Sequence, residues 1–452
     1  MKNHYHFIGI GGIGVSGIAY LMLKAGWQVS GSDLKENRIT DELKSLGAKI
    51  FIGHAAENVT HQDVVVYSSA IAADNPEILQ AKTLGIPLIK RAEALAQLME
   101  SKRAITVAGS HGKTTTTALI SYMLLEAGLS PTVAIGGILK NIGTNACLGS
   151  GEYFVAEADE SDGSFLNYQP QYSIITNIDR EHLDYYHSFE NVLAAFKLFM
   201  QQTKKDGCIF ACYDDKNLVK LLADYPGEVL TFGLQPAADI FAKNIIFTEL
   251  SSDFDCYFKN KFFSRIHLAL GGAHNISNAL AVIGLGLKLG IDLGCIRRTL
   301  EGYKGSGRRL EIKFKTPKFQ IIDDYAHHPE EIKATLAAIS NLKAKRKIVI
   351  FQPHRYSRTQ LLLDDFAQAF KQADYLIITD IYPASEQPIP GINAQLLVDK
   401  IKKNAGAKEV IYLAKDEIVP HLKKIICPGD LVITLGAGDI VKVSDVLAQE
   451  LN

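Results

Sequence analysis

The sequence predicts an α/β protein of three domains, each built around a parallel sheet with flanking helices. Apolar, strand-like runs alternate with helix-like stretches along all 452 residues, a pattern typical of parallel sheets. Two glycine-rich turns, at 9–14 and 109–112, each follow such a run and precede a helix. The length favours about three domains. We place their boundaries at 1–99, 100–303 and 304–452.

Composition limits the classes of partner. A formal net charge of -1 gives no general attraction to nucleic acid or an anionic membrane. The six cysteines are scattered without a Cys-x-x-Cys pair, which favours reduced thiols in the cytoplasm. The apolar stretch 7–23 is glycine-rich and short for a membrane span. We expect a soluble cytoplasmic protein that acts on small molecules, as a monomer or weak homodimer.

The first block predicts a Rossmann-like domain. A strand at 4–10 leads into Gly-x-Gly-x-x-Gly at 9–14 and a helix at 15–25, and a second strand ends at Ser32 and Asp33. This pattern is a dinucleotide-binding fingerprint, but the same turn binds any diphosphate, including that of a UDP-sugar. A nicotinamide dinucleotide, a UDP-sugar and simple helix–strand packing all remain open at this point.

The second block opens on a phosphate-binding loop. The stretch 108–117 reads Ala-Gly-Ser-His-Gly-Lys-Thr-Thr-Thr-Thr between an apolar strand and a helix. Backbone N–H groups and the helix dipole suit phosphates, Lys113 supplies positive charge, and the Thr114 hydroxyl suits Mg²⁺. Val107 stands where the full motif has glycine, so the motif is shortened. The alternative is a glycine turn with a surface lysine.

Carboxylates and a histidine follow two later strands. Residues 157–162 carry four carboxylates after an apolar run, and His182 follows the strand that ends near 176. Such charges are either solvated or hold a cation, and strand ends are where α/β sheets bind ligands. We therefore predict metal positions here, two cations being suited to γ-phosphoryl transfer. Residues 242–270 shift to short β segments, which predicts an inserted hairpin.

The later motifs are less decisive. Asn275 and Asn278 open a helix, where they either cap it or bind a base. In the third block, 323–329 and 351–358 each follow a strand. Arg355 and Arg358 are suited to a carboxylate or phosphate, with a solvated arginine pair as the alternative.

Taken in order, these motifs resemble those of the Mur ligase family. The resemblance covers the whole chain and depends most on Asp-Asp-Tyr-Ala-His-His-Pro at 323–329 and Phe-Gln-Pro-His-Arg-Tyr-Ser-Arg at 351–358. It implies a UDP-sugar-binding domain, a central P-loop ATPase-type domain and a Rossmann-like amino-acid-binding domain that closes over the other two. It also implies ATP and Mg²⁺ as cofactors. The implied substrates are UDP-N-acetylmuramate and L-alanine, which would be joined through an acyl-phosphate intermediate.

The resemblance assigns roles by position. It implies a catalytic set of Lys113, Glu157, His182, Arg308 (or Arg309) and Asp324. It implies Mg²⁺ ligands at Thr114, Glu157 and His182. It implies nucleotide contacts from Gly109, Ser110, His111, Gly112, Lys113, Thr114, Thr115, Asn275 and Asn278. It implies sugar-nucleotide contacts from Gly11, Gly12, Ile13, Gly14, Ser16, Ser32, Asp33 and Ser69. It implies an amino-acid pocket of Tyr325, His327, His354, Arg355 and Arg358.

Several other functions remain as alternatives. A nicotinamide-dependent dehydrogenase would use the first glycine turn and Asp33, but it leaves Lys113 and the acidic run without a role. A sibling ligase would add a tripeptide to the same sugar nucleotide, and a later enzyme of the same family is a further alternative. A nucleotide-dependent switch would turn over ATP without regard to either acceptor.

Overall fold

Three β-sheets follow one another along the chain, and this confirms the predicted α/β fold class. The computed structural model describes residues 3–68, 71–384, 386–404 and 406–451. Ser69, one of the predicted substrate residues, lies outside these described residues.

The first sheet is parallel throughout. Its strands are β1 (His4–Ile8), β2 (Gln28–Asp33), β3 (Lys49–Ile52), β4 (Val64–Tyr67) and β5 (Leu88–Lys90). Its helices are α1 (Ile13–Lys24), α2 (Arg38–Ser45), α3 (Pro76–Leu84) and α4 (Arg91–Met99). The order β3-β2-β1-β4-β5 reverses direction at β1. Ligands of open α/β sheets bind beside such a reversal, at the carboxyl ends of the strands, and the first glycine turn lies there.

The second sheet has ten strands. They are β6 (Arg103–Ala108), β7 (Thr132–Leu139), β8 (Thr144–Cys147), β9 (Tyr153–Glu157), β10 (Tyr172–Ile175), β11 (Cys208–Cys212), β12 (Glu228–Gly233), β13 (Ile240–Thr248), β14 (Ser251–Phe258) and β15 (Lys261–Leu268). The helices are α5 (Lys113–Glu126), α6 (Leu183–Tyr186), α7 (Phe189–Gln202), α8 (Lys216–Leu222), α9 (Ala273–Lys288) and α10 (Leu293–Glu301).

The order of the second sheet positions the central site. It runs β15-β14-β13-β12-β11-β10-β6-β9-β7-β8. Strand β6 pairs in parallel with both β9 and β10. The segments that follow these three strands therefore meet at one edge, and they contain the phosphate loop, the acidic run and His182. Strands β13 to β15 form the predicted β insertion, with three strands instead of a single hairpin.

The third sheet lies between two apolar layers. Its strands are β16 (Glu311–Lys315), β17 (Gln320–Asp324), β18 (Arg346–Phe351), β19 (Tyr375–Ile378), β20 (Val410–Tyr412) and β21 (Asp430–Leu435). Its helices are α11 (Pro329–Ile339), α12 (Tyr356–Leu361), α13 (Leu363–Ala369), α14 (Ala394–Lys403), α15 (Lys415–Ile425) and α16 (Val441–Glu450). The order is β16-β17-β21-β18-β19-β20. The β16–β17 pair is antiparallel, whereas β17–β21, β21–β18, β18–β19 and β19–β20 are parallel.

Side-chain alternation along β18 explains the two layers. Val349 and Phe351 pack into one apolar cluster, and Ile348 and Ile350 pack into the other. This follows from the two-residue period of a strand, whose successive side chains point to opposite faces. Both faces are thereby covered, as parallel sheets require.

Packing divides the chain into two compact units. The first contains residues 1–242, 256–264 and 277–302, and the second contains 243–255, 265–276 and 303–452. The three domain boundaries drawn from the sequence stay a prediction. All six cysteines are free thiols. Within the described parts of the chain, every helix is too short or too polar to cross a membrane.

Candidate functional site

The first glycine turn is fixed against the end of β2. Gly9 has a φ of +76°, and the N–H groups of Gly9 and Ile10 both donate to the Ser32 carbonyl, at 2.8 and 2.9 Å. The N–H of Gly11 donates to Asp33 Oδ2 at 2.9 Å. Asp33 therefore holds the turn in place, in addition to any contact with a ligand. Strand β1 ends at Ile8 because the turn begins at Gly9.

Other side chains come close to two of the glycines that are predicted to contact the sugar nucleotide. A Cβ added at Gly11 would lie 2.7 Å from Asn37 Nδ2, and one at Gly14 would lie 2.6 Å from Arg91 Nη1. Helix α1 begins at Ile13, and its N-cap residue, Gly12, has no side chain to cap it. The first N–H groups of α1 are thus suited to an anion.

Two predicted serines of this domain are buried. Ser16 lies within α1 and is 4% exposed. Ser32 donates from Oγ to Glu77 Oε2 at 2.6 Å and lies 2.9 Å from His54 Nδ1. The Ser32 side chain thus belongs to a buried polar network, while its carbonyl holds the glycine turn.

The phosphate loop is braced by the segment after β10. Gly109 and Gly112 have φ values of +130° and +86°, which L side chains rarely adopt. The N–H of Ser110 donates to the Asn177 carbonyl at 3.1 Å, and the N–H of His111 donates to Asn177 Oδ1 at 2.8 Å. A Cβ at Gly109 would overlap Thr176 Oγ1. The loop therefore needs glycine at these two positions. Its backbone conformation is held by hydrogen bonds to Asn177 without any ligand.

Lys113 is held inside this loop by a buried carboxylate. Its Nζ donates to Glu160 Oε1 at 2.8 Å and to the Ser110 carbonyl at 3.1 Å. The two side chains are 17% and 2% exposed. Burial disfavours the ammonium, but the charges of Glu160 and Asp159 outweigh burial and raise the pKa of Lys113 to about 12. Lys113 is therefore a permanent cation at the start of α5.

The predicted metal residues Thr114 and Glu157 lie together. Thr114 Oγ1 donates to Glu157 Oε2 at 3.2 Å, and the N–H of Gly136 donates to Glu157 Oε1 at 2.7 Å. Thr115, the next residue of α5, is buried. Hydroxyl and carboxylate oxygens are the ligands that Mg²⁺ prefers.

His182 lies beside two carboxylates. Its Nε2 is 3.6 Å from Glu160 Oε1 and 3.7 Å from Glu181 Oε2. Ligand atoms of the three residues all lie within 4.8 Å of one another. His182 also has a φ of +56°, an uncommon conformation that recurs at functional sites.

Glu160 is a site residue that the assignment of roles from the sequence missed. By sequence it is one of the four carboxylates of the acidic run. In the structure it is 1% exposed, it pairs with Lys113, and its Oε2 has no hydrogen-bond partner among the described residues. A buried carboxylate oxygen without a donor is costly unless something charged approaches it, so this atom is suited to a cation.

The two predicted base contacts lie on α9. A Cβ at Gly112 would lie 2.7 Å from Asn278 Oδ1, so Asn278 borders the phosphate loop. Asn275 donates from Nδ2 to the Gly271 carbonyl at 2.8 Å. Their contact with a base stays a prediction.

The carboxylates at the end of β17 organise the C-terminal site. Asp324 accepts from the N–H of Leu310 at 2.7 Å, the N–H of Ala326 at 2.9 Å and the Thr335 hydroxyl at 3.2 Å. Burial raises the pKa of Asp324, although Arg309 and the N–H groups of Leu310 and Ala326 act to lower it. In this conformation Asp324 holds the backbone at Leu310, just before β16, and at Ala326, just after β17.

Arg308 is engaged within its own unit. Its Nε donates to Asp323 Oδ2 at 3.0 Å, and its Nη atoms donate to the carbonyls of Gly436 and Gly438 at 2.6 and 3.0 Å. The guanidinium groups of Arg308 and Arg309 each lie 5.1 Å from the Tyr325 ring centroid. A nucleotide contact from Arg308 would have to replace these bonds, and the predicted role stays a prediction.

The structure brings four of the predicted amino-acid pocket residues together. The ring centroids of Tyr325 and His327 are 5.4 Å apart, and those of His327 and His354 are 5.5 Å apart. Arg358 Nη1 lies 3.3 Å from His354 Nδ1. Burial, followed by His327 and Arg358, lowers the pKa of His354 to about 3. His354 is therefore neutral and accepts a hydrogen bond from Arg358.

Arg355, the fifth predicted residue, is positioned by residues that sequence reasoning missed. It has a φ of +70°, and its N–H donates to the Tyr382 carbonyl at 2.8 Å. Tyr382 also stacks on His354 with ring centroids 5.6 Å apart. Glu386 accepts from the N–H and Oγ of Ser357, at 3.1 and 2.5 Å. No local sequence pattern links these residues to the 351–358 motif.

Comparison with known proteins places the chain in a family. Three family models match it in order: the Mur ligase family catalytic domain over residues 4–103, the Mur ligase middle domain over 107–286, and the Mur ligase glutamate ligase domain over 308–438. The chain belongs to the Mur ligase family.

Individual relatives have names that are more specific than that of the family. A UDP-N-acetylmuramate–L-alanine ligase from Geotalea uraniireducens is 46% identical over 447 residues, covering 99% of this chain and 97% of the relative. One from Aquifex aeolicus is 47% identical over 449 residues, covering 99% and 98%. The crystal structure of a UDP-N-acetylmuramate–alanine ligase from Thermotoga maritima matches with a TM-score of 0.84 and 32% identity, covering 99% of both chains.

Proposed function

We propose that this chain is an ATP-dependent ligase that joins L-alanine to the lactoyl carboxylate of UDP-N-acetylmuramate during peptidoglycan precursor synthesis. Full-length similarity to relatives that bear this activity as their name supports the proposal. The observation that carries it is the Lys113–Glu160 pair at the start of α5, beside the Thr114–Glu157 contact. A dehydrogenase would have no use for that arrangement.

The reaction consists of two transfers. A carboxylate oxygen attacks the γ-phosphorus of ATP, and ADP leaves. The amine of L-alanine then attacks the carbonyl carbon of the acyl phosphate. The tetrahedral intermediate expels inorganic phosphate and loses a proton, and an amide bond remains.

The central residues bind the nucleotide in this proposal. The N–H groups of the first turn of α5 face the phosphates, since the N-cap residue Gly112 has no side chain. Lys113 neutralises charge that develops on the γ-phosphoryl group. Asn275 and Asn278 contact the base.

Mg²⁺ fits the donor set in the same region. Thr114 and Glu157 would hold one ion, since they offer hard oxygen ligands in mutual contact. His182 would take part in a second position, where Glu160 Oε2 lacks a donor among the described residues. When bound, Mg²⁺ supplies charge neutralisation between the phosphate groups and the attacking carboxylate.

The C-terminal residues bind the amino acid in this proposal. Arg358 offers a planar pair of donors to the α-carboxylate. The neutral His354 accepts a hydrogen bond from Arg358 and so orients its guanidinium. Tyr325, His327 and Arg355 would complete the pocket around the methyl side chain of L-alanine. Arg308 or Arg309, and Asp324, complete the catalytic set.

The glycine turn binds the sugar nucleotide in this proposal, through residues 11–14, Ser16, Ser32, Asp33 and Ser69. We also propose domains at 1–99, 100–303 and 304–452, a cytoplasmic location, and a monomer or weak homodimer without nucleic-acid or membrane partners.

Oxygen transfer tests the acyl-phosphate step. UDP-N-acetylmuramate labelled with ¹⁸O in its lactoyl carboxylate is incubated with ATP and L-alanine, and the phosphate is analysed by mass spectrometry. The proposal expects one labelled oxygen in the released phosphate, because the C–O bond breaks when phosphate leaves. Unlabelled phosphate formed together with the amide product would contradict an acyl phosphate.

A further inference from the structure

An arginine outside every motif of the sequence lies between the first glycine turn and the acidic run that follows β9. Arg91 is the first residue of α4, directly after β5. Its Nη2 donates to Asp159 Oδ2 at 2.6 Å, in the acidic run that follows β9. Its Nη1 lies 2.6 Å from the position a Gly14 Cβ would occupy. The guanidinium thus lies between the first glycine turn and the residue next to Glu160.

This approach gives a physical reason for glycine at position 14. Gly14 does not have the positive φ that demands glycine elsewhere in the chain. An alanine Cβ there would lie 2.6 Å from Arg91 Nη1, so the flexible end of the arginine would have to shift away from the turn. The third glycine of the fingerprint therefore admits a cation to the first turn of α1.

Asp159 fixes the orientation of the guanidinium. The two side chains are 28% and 35% exposed. Asp159 Oδ2 accepts from Arg91 Nη2 at 2.6 Å and so occupies one of the two terminal nitrogens of the guanidinium.

The second terminal nitrogen of the guanidinium, Arg91 Nη1, is available to a ligand. No described residue accepts a hydrogen bond from Arg91 Nη1, and the nearby first turn of α1 has no side-chain cap from Gly12. A guanidinium nitrogen and the positive end of a helix thus face the same small region. Both favour an anionic oxygen there.

We propose that Arg91 is a further substrate-binding residue, which donates from Nη1 to an anionic oxygen of the sugar nucleotide at the glycine turn, and that Asp159 is its positioning residue. This inference rests on the proposed function for the identity of the ligand. The anionic oxygen belongs either to the diphosphate or to the lactoyl carboxylate, and the choice of ligands in the test separates the two.

Calorimetric titration without ATP tests the inference. Arg91→Ala, Arg91→Lys and wild type are titrated with UDP, with UDP-N-acetylglucosamine, which lacks the carboxylate, and with UDP-N-acetylmuramate. Arg297→Ala is the control, because Arg297 is an exposed arginine of α10 in the same unit. We expect Arg91→Ala to weaken binding by about tenfold to a hundredfold, the range for one charge-assisted hydrogen bond. Arg91→Lys keeps the charge but lacks the second terminal nitrogen, so it should restore only part of the affinity.

The pattern of losses identifies the oxygen. Equal losses with all three ligands place Arg91 on the diphosphate, and a loss confined to UDP-N-acetylmuramate places it on the carboxylate. Asp159→Asn should weaken the same ligands by a smaller factor, and it should add little in the Arg91→Ala background. That non-additivity separates a positioning residue from a general structural one.

Two failures are distinguishable. Arg91 variants that bind all three ligands like wild type overturn the inference and leave the proposed function in place. A wild-type protein that binds none of the three overturns the proposed function itself. If Arg91→Ala unfolds, as judged by its melting temperature against Arg297→Ala, then Arg91→Lys carries the test, and wild-type affinity in that variant also overturns the inference.

Discussion

Removal of Lys113 should destabilise the protein as well as stop the reaction. Because Glu160 is 2% exposed and pairs with Lys113 Nζ at 2.8 Å, Lys113→Met leaves a buried carboxylate without its cation. Breaking one side of a buried pair costs about 3–5 kcal/mol. A variant intended to test only phosphate binding will therefore also unfold more easily.

The structure sets the size of the coupling between the two residues. The pKa of Lys113 rises from 10.5 to about 12, which at 1.36 kcal/mol per unit corresponds to about 2 kcal/mol. Burial acts against this rise, and Asp159 shares in causing it with Glu160, so the expected coupling of Lys113 with Glu160 is on the order of 1–2 kcal/mol. Because the folded-state pKa is raised, the stabilisation is fully present below pH 10.5 and is lost only as the pH rises through about 12.

A double-mutant cycle measures this coupling. The unfolding free energies of Lys113→Met, Glu160→Gln and the double variant are obtained from urea denaturation at pH 7.5. We expect the double variant to lose about 1–2 kcal/mol less than the sum of the single losses. The control cycle uses Lys197→Met and Asp224→Asn, an ion pair with side chains 48% and 74% exposed. The control coupling should stay below about 0.5 kcal/mol.

The result that would refute this reasoning is a Lys113–Glu160 coupling no larger than that of the control pair. Glu160 would then be satisfied by another group in solution. The assignment of a permanent cation at the start of α5 would lose its structural basis.

Other substitutions test the remaining roles. Glu157→Ala should raise the Mg²⁺ concentration for half-maximal turnover by about tenfold or more, measured by phosphate release, and normal turnover at low Mg²⁺ would make Glu157 structural. Arg358→Lys should weaken the apparent affinity for L-alanine by about tenfold to a hundredfold while ATP binding, followed by calorimetry, stays unchanged; the reverse pattern would assign Arg358 to phosphates. His354 has a pKa lowered to about 3, so only the unfolded chain gains its proton as the pH falls below 6.5, and stability falls there by up to about 1.4 kcal/mol per pH unit. His354→Gln should lose less stability than wild type between pH 6.5 and 4.5, and identical losses would show that His354 titrates normally.

Local patterns predicted the strands and turns of the sites well. Strand β1 covers His4–Ile8, within the predicted 4–10. Helix α1 covers Ile13–Lys24, close to the predicted 15–25. Parallel order then brings strand ends together, so the acidic run and His182 lie near Lys113 as expected from strand polarity alone.

Contacts between distant parts of the chain were beyond the sequence. Arg91 meets Asp159 across 68 positions, and Ser357 meets Glu386 across 29. Neither pair has a periodic or motif signal. The engagement of Arg308 with Gly436 depends on the neighbouring ends of β17 and β21. Such pairings follow from sheet order, which no local pattern determines.

Phosphate release from ATP, with and without each acceptor, tests the central claim most directly. The purified protein is incubated with ATP and Mg²⁺, then with UDP-N-acetylmuramate alone, and then with that substrate and each amino acid in turn, including the tripeptide of the sibling ligase. Our account predicts sustained release, matched by amide product, only when UDP-N-acetylmuramate and L-alanine are both present. Equal release without the two acceptors, or release that depends on the tripeptide in place of L-alanine, would contradict it.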